Sequence, residues 1–177
     1  MNTSRYLGSH GVNEIDFDIT AASDAARGGS GFNSNTGVAT IQVNAQSGLP
    51  AITQPVFIDG YTQPGAHANT LAVGDDAFVP ITVAGTPGTG ETGLEDDAGG
   101  RTVRGLTIEN CDLGLMMYGP DNAVTGNVIT LLTSDNGGTP VCGVGLIFGN
   151  GVRLWEATPS RSYSAPFVLT TDVGSSL

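Results

Sequence analysis

Short runs of alternating apolar and polar residues recur along the chain, and each ends in glycine, asparagine, aspartate or proline. They include 15-IDFDI-19, 40-TIQVN-44, 56-VFIDG-60, 81-ITVAG-85, 103-VRGLTIEN-110, 114-GLMMYG-119, 124-VTGNVITL-131 and 144-VGLIFGN-150. A period of two puts every second side chain on one face of a strand. In 56-VFIDG-60, Val56 and Ile58 share the side that faces the core, and Phe57 and Asp59 share the other. Gly60 breaks this strand, and Pro64-Gly65 and Asn69 add turns before the next run at Ile81. No segment carries helical periodicity over ten or more residues. The pattern therefore predicts an all-β chain of strands and loops.

Spacing separates a sandwich from a solenoid. With Val56, Ile81, Val103, Val124 and Val144 as strand starts, the intervals are 25, 22, 21 and 20 residues. A period in the low twenties marks a repeat architecture, whereas hairpins would place turns every 8–12 residues. Two periods also match in sequence. Arg104-Gly105-Leu106-Thr107-Ile108 aligns with Thr125-Gly126-Asn127-Val128-Ile129, 21 positions later. The segment 111-CDLGLMMYG-119 aligns with 142-CGVGLIFG-149 at an offset of 31. The extra ten residues fall in the polar, turn-rich stretch 133-TSDNGGTPV-141, which reads as a loop insertion. The simplest account is consecutive coils of a parallel β-helix, about six or seven of them from length divided by period.

Stacked parallel strands lie ~4.8 Å apart, so equivalent residues should form ladders. Ile108 with Ile129, and Leu115 with Leu146, are expected to line a dry core. One of the pairs Met116/Ile147 and Met117/Phe148 should join them. Cys111 and Cys142 would stack within the Cα range that a disulfide needs, as a bridge or as a buried pair of reduced thiols.

The run 56-VFIDGYTQPGAHANT-70, with 49-LPAITQP-55, 103-VRGLTIEN-110 and 122-NAVTGNVI-129, resembles the pectin-lyase-like right-handed parallel β-helix superfamily. Within it, the chain is similar to the repeat region of large bacterial and archaeal surface proteins, whose opening strand also looks like 13-NEIDFDI-19. The resemblance spans roughly residues 12–150. It implies a helix with N-terminal cap strands over 1–151, and a tail over 152–177 that is either a C-terminal cap or a truncated coil. It also implies a secreted or cell-surface structural or adhesive module that contacts polysaccharide. The alternative it leaves is a polysaccharide lyase or glycoside hydrolase.

Composition narrows the partners. Twenty-seven glycines fit a turn-rich chain, and a net charge of −11 with no lysine argues against a phosphate-backbone partner. No apolar run approaches the ~20 residues of a membrane span. No secretory signal is visible at the N-terminus, so extracellular placement rests on the resemblance alone. Two cysteines do not settle the compartment.

Lyases of this fold hold Ca²⁺ with clustered acids and use a basic group to remove a proton. Hydrolases use paired carboxylates. The candidate catalytic residues are Asp59, Arg104, Glu109 and Asp112. Glu109, Asp112 and Asp121 are the set that would share a cation such as Ca²⁺, although the fold requires none. Arg101 is a second cation near these acids. Asp75-Asp76 and Asp96-Asp97 read as loop acids, because adjacent strand residues point to opposite faces. His67 reads as a solvated loop residue. Tyr61, Tyr118 and Trp155 are candidates for stacking on sugar rings, with rim packing preferred. The plainer reading of the acids, as solvated turn residues, is preferred throughout.

Overall fold

The computed structural model describes residues 3–5, 13–43, 48–71, 73–86, 91–97, 99–111, 113–118, 122–130, 133–135, 140–142, 144–148 and 168–170, with side chains between 13 and 130. Sixteen strands are found there: β1 (Thr3–Arg5), β2 (Asn13–Asp16), β3 (Phe32–Asn33), β4 (Val38–Gln42), β5 (Val56–Asp59), β6 (Ile81–Ala84), β7 (Thr92–Asp96), β8 (Thr102–Arg104), β9 (Leu106–Glu109), β10 (Leu113–Met117), β11 (Ala123–Thr125), β12 (Val128–Thr130), β13 (Thr133–Asp135), β14 (Pro140–Cys142), β15 (Val144–Phe148) and β16 (Val168–Thr170). One short helix, α1 (Ala21–Ala25), starts where Thr20 and Ser23 cap each other's backbone amides, at 2.9 and 3.2 Å. This reciprocal cap satisfies two amides that the first turn leaves unpaired.

The strands form three main sheets. The first runs β1-β2-β5-β8-β11, the second β3-β4-β6-β9-β12-β16 and the third β7-β10-β15. Strands β2, β5, β8 and β11 are mutually parallel, as are β4, β6, β9 and β12, and the whole third sheet. Antiparallel strands sit at sheet ends: β1 on β2, β3 on β4 and β16 on β12. From β5 onward the chain visits the first, second and third sheets in turn, then repeats. Among the described residues the order is broken by the antiparallel hairpin β13–β14, which falls in the segment read as an insertion, and by β16, which returns antiparallel to the second sheet.

The residue-by-residue alignment is the register that forms. Val124 lies beside Val103 and Ile129 beside Ile108, each 21 residues back. Leu146 lies beside Leu115 at the offset of 31. The uniform period does not hold. Asn13 pairs with Val56, Phe57 with Thr102 and Ala39 with Ile81, at separations of 43, 45 and 42 residues. Of the five strand starts, Val56, Val103 and Val124 share the first sheet, Ile81 lies in the second and Val144 in the third. Long connections, chiefly residues 60–80, lengthen the early levels. Among the described residues the parallel stack is four strands deep rather than six or seven.

Two runs read as single strands are each broken in two. Gly105 (φ 67°) separates β8 from β9, and Gly126 (φ 59°) separates β11 from β12. The left-handed conformation at these glycines turns the chain from one sheet to the next, at little cost only because glycine has no Cβ.

The core lies between the sheets. Its ladders are Ile58–Val103, flanked by the partly buried Ile15 and Val124, then Val83–Ile108–Ile129, and Leu94–Leu115. Val56 and Ile58 face inward as expected, and Met117, not Met116, is the fully buried methionine. Each such side chain contributes about 1.5–3 kcal/mol on burial. Among the described residues no helix is long and apolar enough to cross a membrane.

Candidate functional site

The segment 59-DGYTQ-63 follows β5 directly. Asp59 Oδ1 accepts the Tyr61 amide at 3.0 Å and caps a 3-10 turn over Gly60–Thr62. A Cβ on Gly60 would collide with the Gly105 carbonyl one level on, so only glycine fits there. The Tyr61 ring lies over Gly105 and Gly126, and its hydroxyl donates to the Gly126 carbonyl at 2.8 Å. Thr62 Oγ1 donates to the Asp59 carbonyl (2.7 Å) and accepts the Phe17 amide (2.6 Å). The buried Gln63 amide accepts from Ile19 N (2.8 Å) and donates to Ile19 O (2.7 Å), pairing with that backbone as a strand would. Five consecutive residues thus tie together segments that begin at residues 17, 59, 105 and 126.

Register places Arg104 beside Asp59, and Asp16 on Asp59's other side. Arg104 Nη2 lies 2.5 Å from Asp59 Oδ2, and its guanidinium sits 4.9 Å above the Phe57 ring. The Asp59 side chain is 6% exposed and that of Arg104 42%. The hydrogen bond to Asp59 raises the Arg104 pKa above its ordinary value; desolvation opposes this, and the charges of Asp59, Tyr61 and Glu14 assist it. An arginine held more firmly protonated is a poor proton acceptor, which disfavours it as a lyase base. Asp16 Oδ1 is buried with no hydrogen-bond partner among the described residues.

The sequence candidates are therefore only partly brought together. Asp59 and Arg104 meet, whereas Glu109 lies in the second sheet between Ala84 and Thr130. Register sets Arg104 against Asp59, 45 residues earlier, and not against Glu109. Asp112, Asp121 and Trp155 lie outside the described residues. Among those described, no three His, Cys, Asp or Glu side chains are grouped to hold a metal. Cys111 is buried, with its thiol 3.3 Å from the Glu109 carbonyl. Cys142 belongs to β14, and its side chain lies outside the described set.

Asp75 and Asp76 are exposed loop acids, as read. Thr70 donates its hydroxyl and its amide to Asp76, each at 2.6 Å, and these bonds lower that carboxyl's pKa. The expectation for Asp96 is corrected. It ends β7 and is fully buried against the equally buried Arg101, which desolvation drives below the usual arginine pKa. Arg101 also donates Nε to the Gln54 carbonyl at 2.9 Å, so it is a core group and not a surface base. His67 bridges Phe78 through backbone bonds of 3.0 and 2.9 Å. Tyr118 is the more exposed of the two described candidate aromatics.

Three polar residues went unremarked in the sequence. Asn127 is fully buried; its Oδ1 accepts the Leu106 amide (2.9 Å) and its Nδ2 donates to the Val103 carbonyl (2.8 Å). Asn122 Oδ1 accepts the Arg101 amide at 3.1 Å. Each asparagine reaches 21 residues back, so the repeat offset itself was the available signal. Glu91 is buried and accepts the Thr86 amide at 2.6 Å. Compared with protein-family models, curated proteins and solved structures, the chain gives no match.

Proposed function

We propose that this chain is a right-handed parallel β-helix of the pectin-lyase-like kind. Its role is that of a structural or adhesive module in a secreted or cell-surface protein, with carbohydrate as the class of partner. One observation carries the non-enzymatic reading: the polar groups of 59-DGYTQ-63, the most motif-like stretch in the sequence, are engaged in the scaffold. Asp59 caps a turn and binds Arg104, Tyr61 holds Gly126, Thr62 holds Phe17 and Gln63 holds Ile19. The solenoid reading is supported by the repeated visits to three sheets and the 21-residue register.

A glycoside hydrolase is the second reading, and one feature favours it. Asp16 and Asp59 are neighbours in register on parallel strands, ~4.8 Å apart by strand spacing. Retaining glycosidases place their two carboxyls about 5–5.5 Å apart. Against it stands the burial of Asp59 and its bond to Arg104. Incubation with polygalacturonate and neutral polysaccharides, with and without Ca²⁺, separates the readings. The structural role expects neither unsaturated product in the ultraviolet nor new reducing ends. Product that disappears in Asp16→Asn or Asp59→Asn would reverse the proposal in favour of the enzyme.

A further inference from the structure

The chain passes from the second sheet to the third at two successive levels, and the two passages differ in length. At the first, β9 ends at Glu109, Asn110 turns in the left-handed region (φ 60°), and Cys111 leads into β10. At the next, β12 ends at Thr130, the hairpin β13–β14 intervenes, and Cys142 leads into β15. Three residues separate Glu109 from Leu113, whereas thirteen separate Thr130 from Val144. The covalent path therefore holds β15 to its level less tightly than it holds β10.

Three registers bracket the two cysteines. Thr130 lies beside Glu109, two residues before Cys111. Val144 lies beside Leu113, two residues after Cys111. Cys142 stands two residues before Val144 and lies beside Thr133, three residues on from Thr130. Cys111 and Cys142 thus occupy equivalent places on adjacent levels, bounded on both sides by paired residues. Parallel neighbours run about 4.7–4.9 Å apart, inside the roughly 4.4–6.8 Å Cα separation of a disulfide. Cys111 is 3% exposed and packs where a Cβ on Gly85 or Gly93 would come within 2.9 or 3.2 Å of its Sγ. Its thiol meets the Glu109 carbonyl at 3.3 Å, and a thiol is a weak donor, so exchanging that bond costs little.

We infer that Cys111 and Cys142 join in a disulfide that staples the entry of β15 to the entry of β10 and closes the chain around the hairpin insertion. Each thiol gives up one proton and one electron. A small-molecule disulfide such as oxidised glutathione takes up the two protons and two electrons and leaves as two thiols. The bond holds β15 in register where the connection to it is long. The inference rests on the register and stands whether or not the proposed module role holds; the oxidising surroundings that such a role implies are those in which the bond persists.

The test refolds the full chain, at low concentration, in mixtures of reduced and oxidised glutathione. It is then denatured in excess N-ethylmaleimide and weighed by mass spectrometry. The expected product takes up no maleimide, and digestion without reductant yields one linked pair of peptides containing Cys111 and Cys142. The oxidation constant should be roughly 30- to 1,000-fold larger for the folded chain than for the chain in urea, because a bond that stabilises the fold is favoured by the fold to the same degree. Reduction should lower the melting temperature by roughly 5–15 °C, and Cys142→Ala should abolish that dependence on reductant. Two maleimides on the refolded chain, glutathione left on either cysteine, or a chain-to-chain disulfide would overturn the inference. So would an oxidation constant no larger in the folded chain than in urea, since that bond would owe nothing to the register.

Discussion

Replacing Asn127 by alanine removes one side chain and leaves two buried backbone groups without partners. The Leu106 amide loses its 2.9 Å bond to Oδ1, and the Val103 carbonyl loses its 2.8 Å bond from Nδ2. Asn127 and Val103 are fully buried and Leu106 is 2% exposed, so water has no ready path to replace the amide. An orphaned buried polar group costs about 1–3 kcal/mol, which puts Asn127→Ala at roughly 2–5 kcal/mol. For a domain of this length each kcal/mol is worth about 2–4 °C, so the melting temperature should fall by roughly 5–15 °C. Asn127→Asp should cost at least as much. It keeps the acceptor for Leu106 but loses the donor to Val103 and buries a charge. Urea denaturation followed by far-ultraviolet circular dichroism measures both variants, with the m-value checking that unfolding is unchanged in extent. A loss under about 0.5 kcal/mol for Asn127→Ala, at constant m, would refute the claim that this amide bolts adjacent levels together.

Breaking the buried Asp96–Arg101 pair from one side should cost about 3–5 kcal/mol, whereas Asp96→Leu with Arg101→Met should recover most of that loss in the same denaturation assay. If the double variant is no better than the singles, the pair is not the source of the cost. Gly126→Ala should destabilise the fold, because its Cβ would meet the Tyr61 hydroxyl and the residue sits at φ 59°. In a Tyr61→Phe background the same change should cost less, since the colliding oxygen is gone; equal costs in both would sink the ring-over-glycine account. The depressed Asp76 pKa means that its Thr70 bonds strengthen the loop between β5 and β6 above the ordinary carboxyl value of 3.8 and are lost as pH falls through the lower folded value. The Thr70 amide resonance, followed by NMR on acidification, should move with a midpoint below 3.8, and a midpoint at or above it would contradict the assignment.

The outward column of the first sheet shows how much function-like chemistry a sequence conceals. Asp59 looked like a candidate because it sits on the polar side of 56-VFID-59, and it does face away from the ladder. Its partner was unreadable. Arg104 is 45 residues later, and the connections between them set which residue lands beside which. The same holds for Gln63 and Ile19, which are 44 residues apart.

The sequence alone determined what repeats locally or at a fixed offset. Alternation identified β5 and β9, because a strand with one buried face must be apolar at every second position. The 21-residue match predicted the pairing of Ile129 with Ile108, because stacked levels put equivalent side chains into one ladder. Only the tertiary structure decided the rest. It placed Ile81 and Val56 in different sheets, since strands of similar pattern carry no mark of which sheet they join. It made β7 a strand despite an inward charged residue at Asp96, because Arg101 neutralises that charge inside the core. It also showed what 59-DGYTQ-63 fastens, since a polar group's role is set by its partner, and these partners lie 44 to 65 residues away in sequence.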